Sequence, residues 1–396
     1  YQIKDIEKKD TVRNPLPPFT TSTLQQAAWS RIHYNAKRTM SAAQQLYEKG
    51  FITYHRTDSV NLAQQAVLDA KNFIVNSFGP EYALASARIF KTKSKSAQEA
   101  HEAIRPAYPD KRPEDVTSEI EPQEWKLYDL IWKRFIACQM QPARFDATAV
   151  DIRANNYEFR ANGLMMKFDG FLKVYPMQFE ETALPPLEKD ENLDCIKLDS
   201  TQHFTQPPAR YNDASLVKAL EEHGIGRPST YAPIIDTIQK RNYVALNEER
   251  RFTPTEMGNI VCDLLVEHFP EIVDINFTAK MEEALDNVAQ GESDWVKLLK
   301  DFYVPFDENL TKKYAEVAKK ETSEKTGEKC PSCTEGDLMI KFGRFGKFIA
   351  CSGFPKCKYT QPILKTIGIK CPKCKEGDIA ERMSKRRRKF YGCSRS

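Results

Sequence analysis

Long apolar runs are missing from this chain of 396 residues. The longest fall well short of the roughly 20 residues that a membrane-spanning helix needs, so neither a spanning segment nor a signal peptide is legible. The phosphate-cradling pattern G-x-x-x-x-G-K-[ST] is absent as well, so the chain offers no P-loop for ATP. No two aspartates stand two residues apart, which removes a D-x-D metal-binding pair. Cysteine is sparse until late: Cys138, Cys195 and Cys262 are scattered, and the other seven of ten fall between Cys330 and Cys393. An opening methionine is missing too. The first run, YQIKDIEKKD, alternates as a strand does, and the sequence reads as a fragment.

What is present describes a multidomain protein. Hydrophobic residues at 41% and charged residues at 29% suit two to four domains that each bury a core. The net charge of +4 hides an asymmetry: from Glu321 onward 18 Lys and Arg face 8 Asp and Glu, against 41 and 47 before it. The tail is aimed at a polyanion, most simply nucleic acid, with a merely solvated charged tail as the alternative.

The pattern along the chain predicts a multidomain α+β fold. Residues 14–140 read as helices, with hydroxyl caps opening TTSTLQQAAWSRI and Gly50 closing NAKRTMSAAQQLYEKG. Asn61 and Gln64 suit a cap for the next helix, and Ser96 with Glu99 in SAQEAHEAIRP has capping-box spacing. PQEWKLYDLIWKRFIACQ keeps Trp125, Tyr128, Ile131, Trp132 and Phe135 on one face. FITYHR is a strand-like insert among these helices. Over 141–208 the period becomes two, in RFDATAVDIRA, NYEFRANG, LMMKFDGFLKVYP and KLDSTQHFTQP, which predicts an antiparallel β segment. Residues 1–13 are a remnant strand, 209–320 a second helical domain with a winged-helix-like element, and 321–328 a polar linker. Cys138, Cys195 and Cys262 read as core or neutral thiols, since Cys138 and Cys262 lie in apolar helical patterns.

From 329 the sequence repeats at an offset of 41 residues, KCPSCTEGDLMIK at 329 against KCPKCKEGDIAER at 370, giving units 329–365 and 366–396. Cys330, Cys333, Cys351 and Cys357 have the spacing of a closed tetrahedral zinc site, whose metal would supply folding energy that so short a segment lacks. Disulfides are the alternative. The second unit offers Cys371, Cys374 and Cys393, with a fourth ligand expected a few residues further on. Between the ligands, Arg344, Phe345, Lys347 and Phe348 alternate rings and cations as single-stranded nucleic acid favours, although about half of such rings would simply pack the ribbon. The run from Lys385 to Lys389 is purely basic and suits phosphate contact.

GFITYHRTDS at 50–59 sets Tyr54 and Arg56 on one face if it is a strand. A phenol with pKa near 10 is a weak nucleophile until a cation stabilises its phenolate, and an arginine fork could hold a phosphate beside it. A packed strand tyrosine is the plainer account of the same residues.

Five separated segments resemble, in order, the type IA topoisomerase family in its bacterial topoisomerase I form: PPFTTSTLQQAA, NAKRTMSAAQQLYEKGFITYHRTDS, AQEAHEAIRP, QPPARYNDASLVKALEEHGIGRPSTYAPIIDTIQKRNYV and the tandem cysteine units. The resemblance implies that Tyr54 attacks a DNA backbone phosphate to give a 5′-phosphotyrosine, that Arg56 assists there, and that His101 contacts the same phosphate. It implies single-stranded DNA contacts from Arg227 and Thr230, with Ser229 adding a donor, and an arch of β strands between helical domains. It further implies Zn2+ in the ribbons, and Mg2+ through an N-terminal Toprim domain that these residues lack, so the chain alone is expected to bind single strands without relaxing supercoils. Relaxation of negative supercoils, a monomer in the cytoplasm at the nucleoid, and DNA as partner with RNA polymerase left open complete the expectation. A topoisomerase III, a reverse gyrase, or a non-catalytic single-stranded DNA-binding module is the alternative.

Overall fold

The computed structural model of the chain describes residues 1–90, 101–316, 324–343, 346–383 and 389–395. Contacts divide it into two compact units, Tyr1–Thr237 with Leu246–Thr253 and Glu271–Ser293, and Ile238–Ala245 with Pro254–Pro270 and Asp294–Ser396. The expected domain at 209–320 is therefore shared between the two. Among the described residues no helix is long and apolar enough to cross a membrane.

The first unit opens with β1 (Gln2–Arg13), which pairs antiparallel with β2 (Ala143–Ala154) from Gln2↔Arg153 to Arg13↔Ala143. A two-residue turn then leads into β3 (Tyr157–Phe168), giving the sheet order β1-β2-β3. The two runs NYEFRANG and LMMKF are thus one strand. KLDSTQHFTQP, expected as another, has no ladder partner among the described residues; residues 196–210 lie exposed, Ile196 and Phe204 included, so its alternation has no face to bury.

Between β1 and β2 lie α1 (Thr21–Ile32), α2 (Ala36–Glu48), α3 (Gln64–Phe78) and α4 (Pro122–Cys138). The caps are local. Thr20 accepts from Thr23 N and Asn35 from Arg38 N, and Gly50 takes the left-handed conformation after α2. For α3 the expected Asn61 cap is not used; the helix starts at Gln64, and the Glu102 carboxylate accepts from Ala63 N at 2.5 Å instead. An acid from 39 residues away thereby serves a helix N-terminus. The core joins Phe19, Leu24, Leu46, Ile74, Leu127, Ile131 and Phe135, and Cys138 sits in it as expected, its thiol pushed up to about 12 by burial. Trp125 and Trp132 donate to Pro113 O and Pro109 O, and Tyr128 to Lys111 O, which fastens the loop before α4.

The chain continues through α5 (Asp213–Glu222), α6 (Tyr231–Lys240), the short strands β4 (Val244–Leu246) and β5 (Phe252–Pro254), α7 (Glu256–His268), α8 (Pro270–Val273), α9 (Ile275–Ala289) and α10 (Trp295–Glu316). Cys262 does not repeat Cys138: it is exposed on α7, a helix with no fully buried residue, so its apolar pattern meets no core.

The cysteine-rich repeats are β. β6 (Glu324–Lys329), β7 (Asp337–Gly343), β8 (Gly346–Cys351) and β9 (Thr360–Pro362) form one sheet in that order; β10 (Lys365–Lys370), β11 (Asp378–Met383) and β12 (Lys389–Cys393) form another. Part of the expected linker is therefore the edge strand β6, which pairs with β7. The pairing is kept from one cysteine repeat to the next, Leu338↔Cys351 in the first and Ile379↔Cys393 in the second.

Candidate active site and zinc centre

FITYHR is not a strand, because its backbone bonds go to several partners rather than to one ladder. Ile52 bridges Pro106, Thr53 N donates to Arg105 O at 3.0 Å, and Thr57 O accepts from Thr21 N at 2.8 Å. The alternation of faces survives nonetheless. His55, Thr57 and Ser59 are buried while Tyr54 and Arg56 point to solvent, the tyrosine 41% exposed.

The HEAIRP segment is not helical either. The preceding SAQEA, residues 96–100, lies outside the described residues, and from His101 the chain runs extended, with bridges at Ile104 and Pro106. Ala103 N donates to Asn61 O, Ile104 N to Phe19 O and Arg105 N to Thr53 Oγ1, leaving no donors for a helix, and Pro106 would end one. Arg105 pairs with Glu102 at 2.7 Å. This extended run brings His101 beside the tyrosine, with ring centroids 6.1 Å apart. Of the three residues expected to share a phosphate, two are thus ring neighbours and the third faces the same solvent.

Two further rings adjoin Tyr54. Tyr47, in the last turn of α2, meets it edge-on at 5.2 Å, and His55 lies 5.3 Å away. His55 is 1% exposed, and neither ring nitrogen has a hydrogen-bond partner among the described residues. Burial first, and then the Arg56 charge, push its pKa down to about 4, so it is a neutral wedge under the nucleophile candidate. Sequence reasoning passed over Tyr47 and His55; the only available signal was their closeness to Tyr54 along the chain.

Arg227, Ser229 and Thr230 lie in the turn between α5 and α6 of the same unit. Arg227 donates to Asp286 Oδ2 at 2.7 Å and to Gly226 O at 2.8 Å, so its guanidinium is tied to α9 and to its own turn. The Thr230 hydroxyl accepts from Arg227 N at 2.8 Å, and Ser229 is exposed. The α5 end of this turn is linked to α1 by Ser22 Oγ, which donates to Glu221 Oε2 at 2.6 Å.

In the second unit the sulfurs of Cys330, Cys333, Cys351 and Cys357 lie within 4.8 Å of one another. Cys330 and Cys357 stand 3.8 Å apart, and Cys333 and Cys351 3.5 Å. Four thiolates about 2.3 Å from one zinc ion define a tetrahedron with edges of about 3.8 Å. The set therefore fits zinc and is too wide for disulfides. Gly336 N and Gly377 N each donate to a thiol at 3.4 Å, and these contacts are the first cause that pushes Cys333 and Cys374 down to about 7. A Cβ on Gly336 would collide with Cys351 Sγ and one on Gly377 with Cys393 Sγ, so both repeats need glycine there. Cys371, Cys374 and Cys393 form a matching set of three. Among the described residues these are the only groups of three or more His, Cys, Asp or Glu placed to share an ion.

Of the ribbon residues expected on nucleic acid, Phe348 is half-buried opposite Pro362. Arg344, Phe345, the side chain of Lys347 and most of the basic run lie outside the described residues. Tyr359 packs against the cysteine cluster, whereas Phe354 is 65% exposed.

A family model described as DNA topoisomerase matches residues 1–300, and one described as topoisomerase DNA binding C4 zinc finger matches 327–366 and 368–395. The full-length topoisomerase I of Thermotoga maritima is a structural neighbour, with a TM-score of 0.70 and 33% identity, covering 91% of this chain. The chain spans 59% of the length of that structure. Domain match, fold and cysteine geometry agree, and the chain belongs to the bacterial type IA DNA topoisomerase family, with two copies of that family's C4 zinc-finger module at its C-terminal end.

Proposed function

We propose that Tyr54 is the nucleophile of a type IA reaction on single-stranded DNA. Its phenolic oxygen forms a bond to a backbone phosphorus while the bond to the 3′ oxygen breaks, leaving a 5′-phosphotyrosine and, once that oxygen takes a proton, a free 3′-hydroxyl. Arg56 holds the phosphate and offsets the charge that develops on its oxygens, and His101 contacts the same group. Rejoining is the reverse attack by the 3′-hydroxyl. One ester is exchanged for another, so ATP is not consumed. Strand passage between the two steps relaxes negative supercoils.

Single-stranded DNA is held by Arg227, Ser229 and Thr230 and by the ribbon residues Arg344, Phe345, Lys347 and Phe348. When bound, zinc would order the first ribbon as a closed thiolate centre held by Cys330, Cys333, Cys351 and Cys357, and Cys371, Cys374 and Cys393 would supply three ligands in the second. The enzyme acts as a cytoplasmic monomer at the nucleoid, with RNA polymerase a second partner for the ribbons. The observation that supports the reading most is the exposed phenol of Tyr54 with the His101 ring at 6.1 Å.

The test is a denaturant-resistant adduct between the full-length protein and a single-stranded oligonucleotide with magnesium present. It is expected to form in the wild type and to vanish in Tyr54→Phe. An adduct undiminished in Tyr54→Phe contradicts the proposal.

A further inference from the structure

The loop that carries Tyr54 is held from below by one side chain the reaction does not touch. Thr21 is fully buried in the first turn of α1, and its N–H donates to Thr57 O at 2.8 Å. Its Oγ1 accepts from Thr57 N at 2.9 Å and shares its proton between His55 O at 2.8 Å and Thr57 O at 3.1 Å. Four contacts from one residue thus fix the backbone at 55 and 57, the inward positions on either side of Arg56 and directly after Tyr54. On the other side of the tyrosine, Thr53 Oγ1 donates to Ala103 O at 2.7 Å and accepts from Arg105 N at 3.0 Å.

Residues 53, 55 and 57 flank Tyr54 and Arg56 along the chain, so whatever fixes their backbone also fixes where the side chains at 54 and 56 point. The α1 end is itself anchored, by the Thr20 cap and by Ser22 on Glu221. A change of about 1 Å in the pose of a reacting group is enough to cost a large rate factor.

We infer that Thr21 is a positioning residue: its hydroxyl aims Tyr54 and Arg56 at the phosphate by fixing the backbone between them and Thr57. This rests on the reaction proposed above. Thr21→Val keeps the shape and the backbone bond but removes the hydroxyl, while Thr21→Ser retains it.

Two measurements separate the levels. Amide hydrogen exchange of the 396-residue chain reads the contact without catalysis. Exchange at Thr57 is expected to quicken by about tenfold or more in Thr21→Val and to stay near wild type in Thr21→Ser. In the full-length protein, the rate of adduct formation at saturating oligonucleotide is expected to fall roughly 10- to 100-fold in Thr21→Val with the Kd unchanged, and to recover in Thr21→Ser. Unchanged exchange at Thr57, or an unchanged rate despite faster exchange, overturns the inference. A weaker Kd with an unchanged rate does so too. Wild type that forms no adduct overturns the reaction itself, a failure visible before any Thr21 variant is compared.

Discussion

The tyrosine site and the first zinc ribbon each fix a few polar side chains, by opposite means. Around Tyr54 the fixing groups come from residues 19–21, 53–57, 61 and 101–106, and all rest on a hydrophobic core built by α1 to α4. In the ribbon, two tight turns and four thiols from one stretch of 28 residues suffice, and the buried cluster is little more than Cys330, Leu338 and Cys351. The first site is held by packing and tolerates no loss of core; the second is held by a metal and has almost no core to lose. A catalytic group that must be aimed within about an ångström belongs on the former, and a module that only grips a strand can be built on the latter.

Metal removal gives the largest contrast. Stripping zinc with a strong chelator should unfold residues 324–362, since a structural site of this type contributes about 10 kcal/mol or more. Amide signals of the ribbon are expected to collapse to random-coil positions while those of α1 to α4 keep their dispersion. A ribbon that stays dispersed without metal breaks the comparison.

A smaller effect comes from protons. His55 titrates at about 4 in the folded chain against 6.5 when free, so between those values the unfolded state binds more protons. Stability of the tyrosine-bearing unit should therefore rise with pH from about 4 to about 6.5, by at most about 3 kcal/mol, and be fully present above that window. Urea unfolding at pH 4.5 and pH 7, wild type against His55→Leu, should show that the leucine variant loses less on acidification. An equal loss in both would mean that the ring is not buried uncharged.

Phe354 gives the smallest effect. Its ring is mostly exposed on the ribbon, so Phe354→Ala should leave stability within about 0.5 kcal/mol, yet weaken oligonucleotide binding by about 1 kcal/mol if a base stacks there. Fluorescence anisotropy with a single-stranded oligonucleotide reads it.

The same contrast explains what could be read in the sequence. The ribbon was legible because cysteine spacing is local, and so were the hydroxyl cap at Thr20, the glycine stop at Gly50 and the apolar face of α4. The conformation of FITYHR and HEAIRP was not, because it depends on the bridge from Ile52 to Pro106 and on Thr53 reaching Ala103. Nor could the acid that replaces the Asn61 cap be foreseen, since Glu102 arrives from a distant segment. Tyr54 and Arg56 share the solvent side, as a period of two implied, although the backbone bends at 53, 55 and 56 and forms no ladder. Cys262 shows the limit of periodicity: an apolar stripe says which side of a helix is apolar, and not whether anything covers it.

The central claim is that the Tyr54 oxygen becomes esterified to DNA. Mass spectrometry of peptides from a trapped full-length complex, digested with protease and nuclease, tests it most directly. A nucleotide 5′-phosphate on the peptide containing Tyr54, with fragmentation placing it on that residue, is the predicted result. A complex trapped through any other side chain would contradict the account.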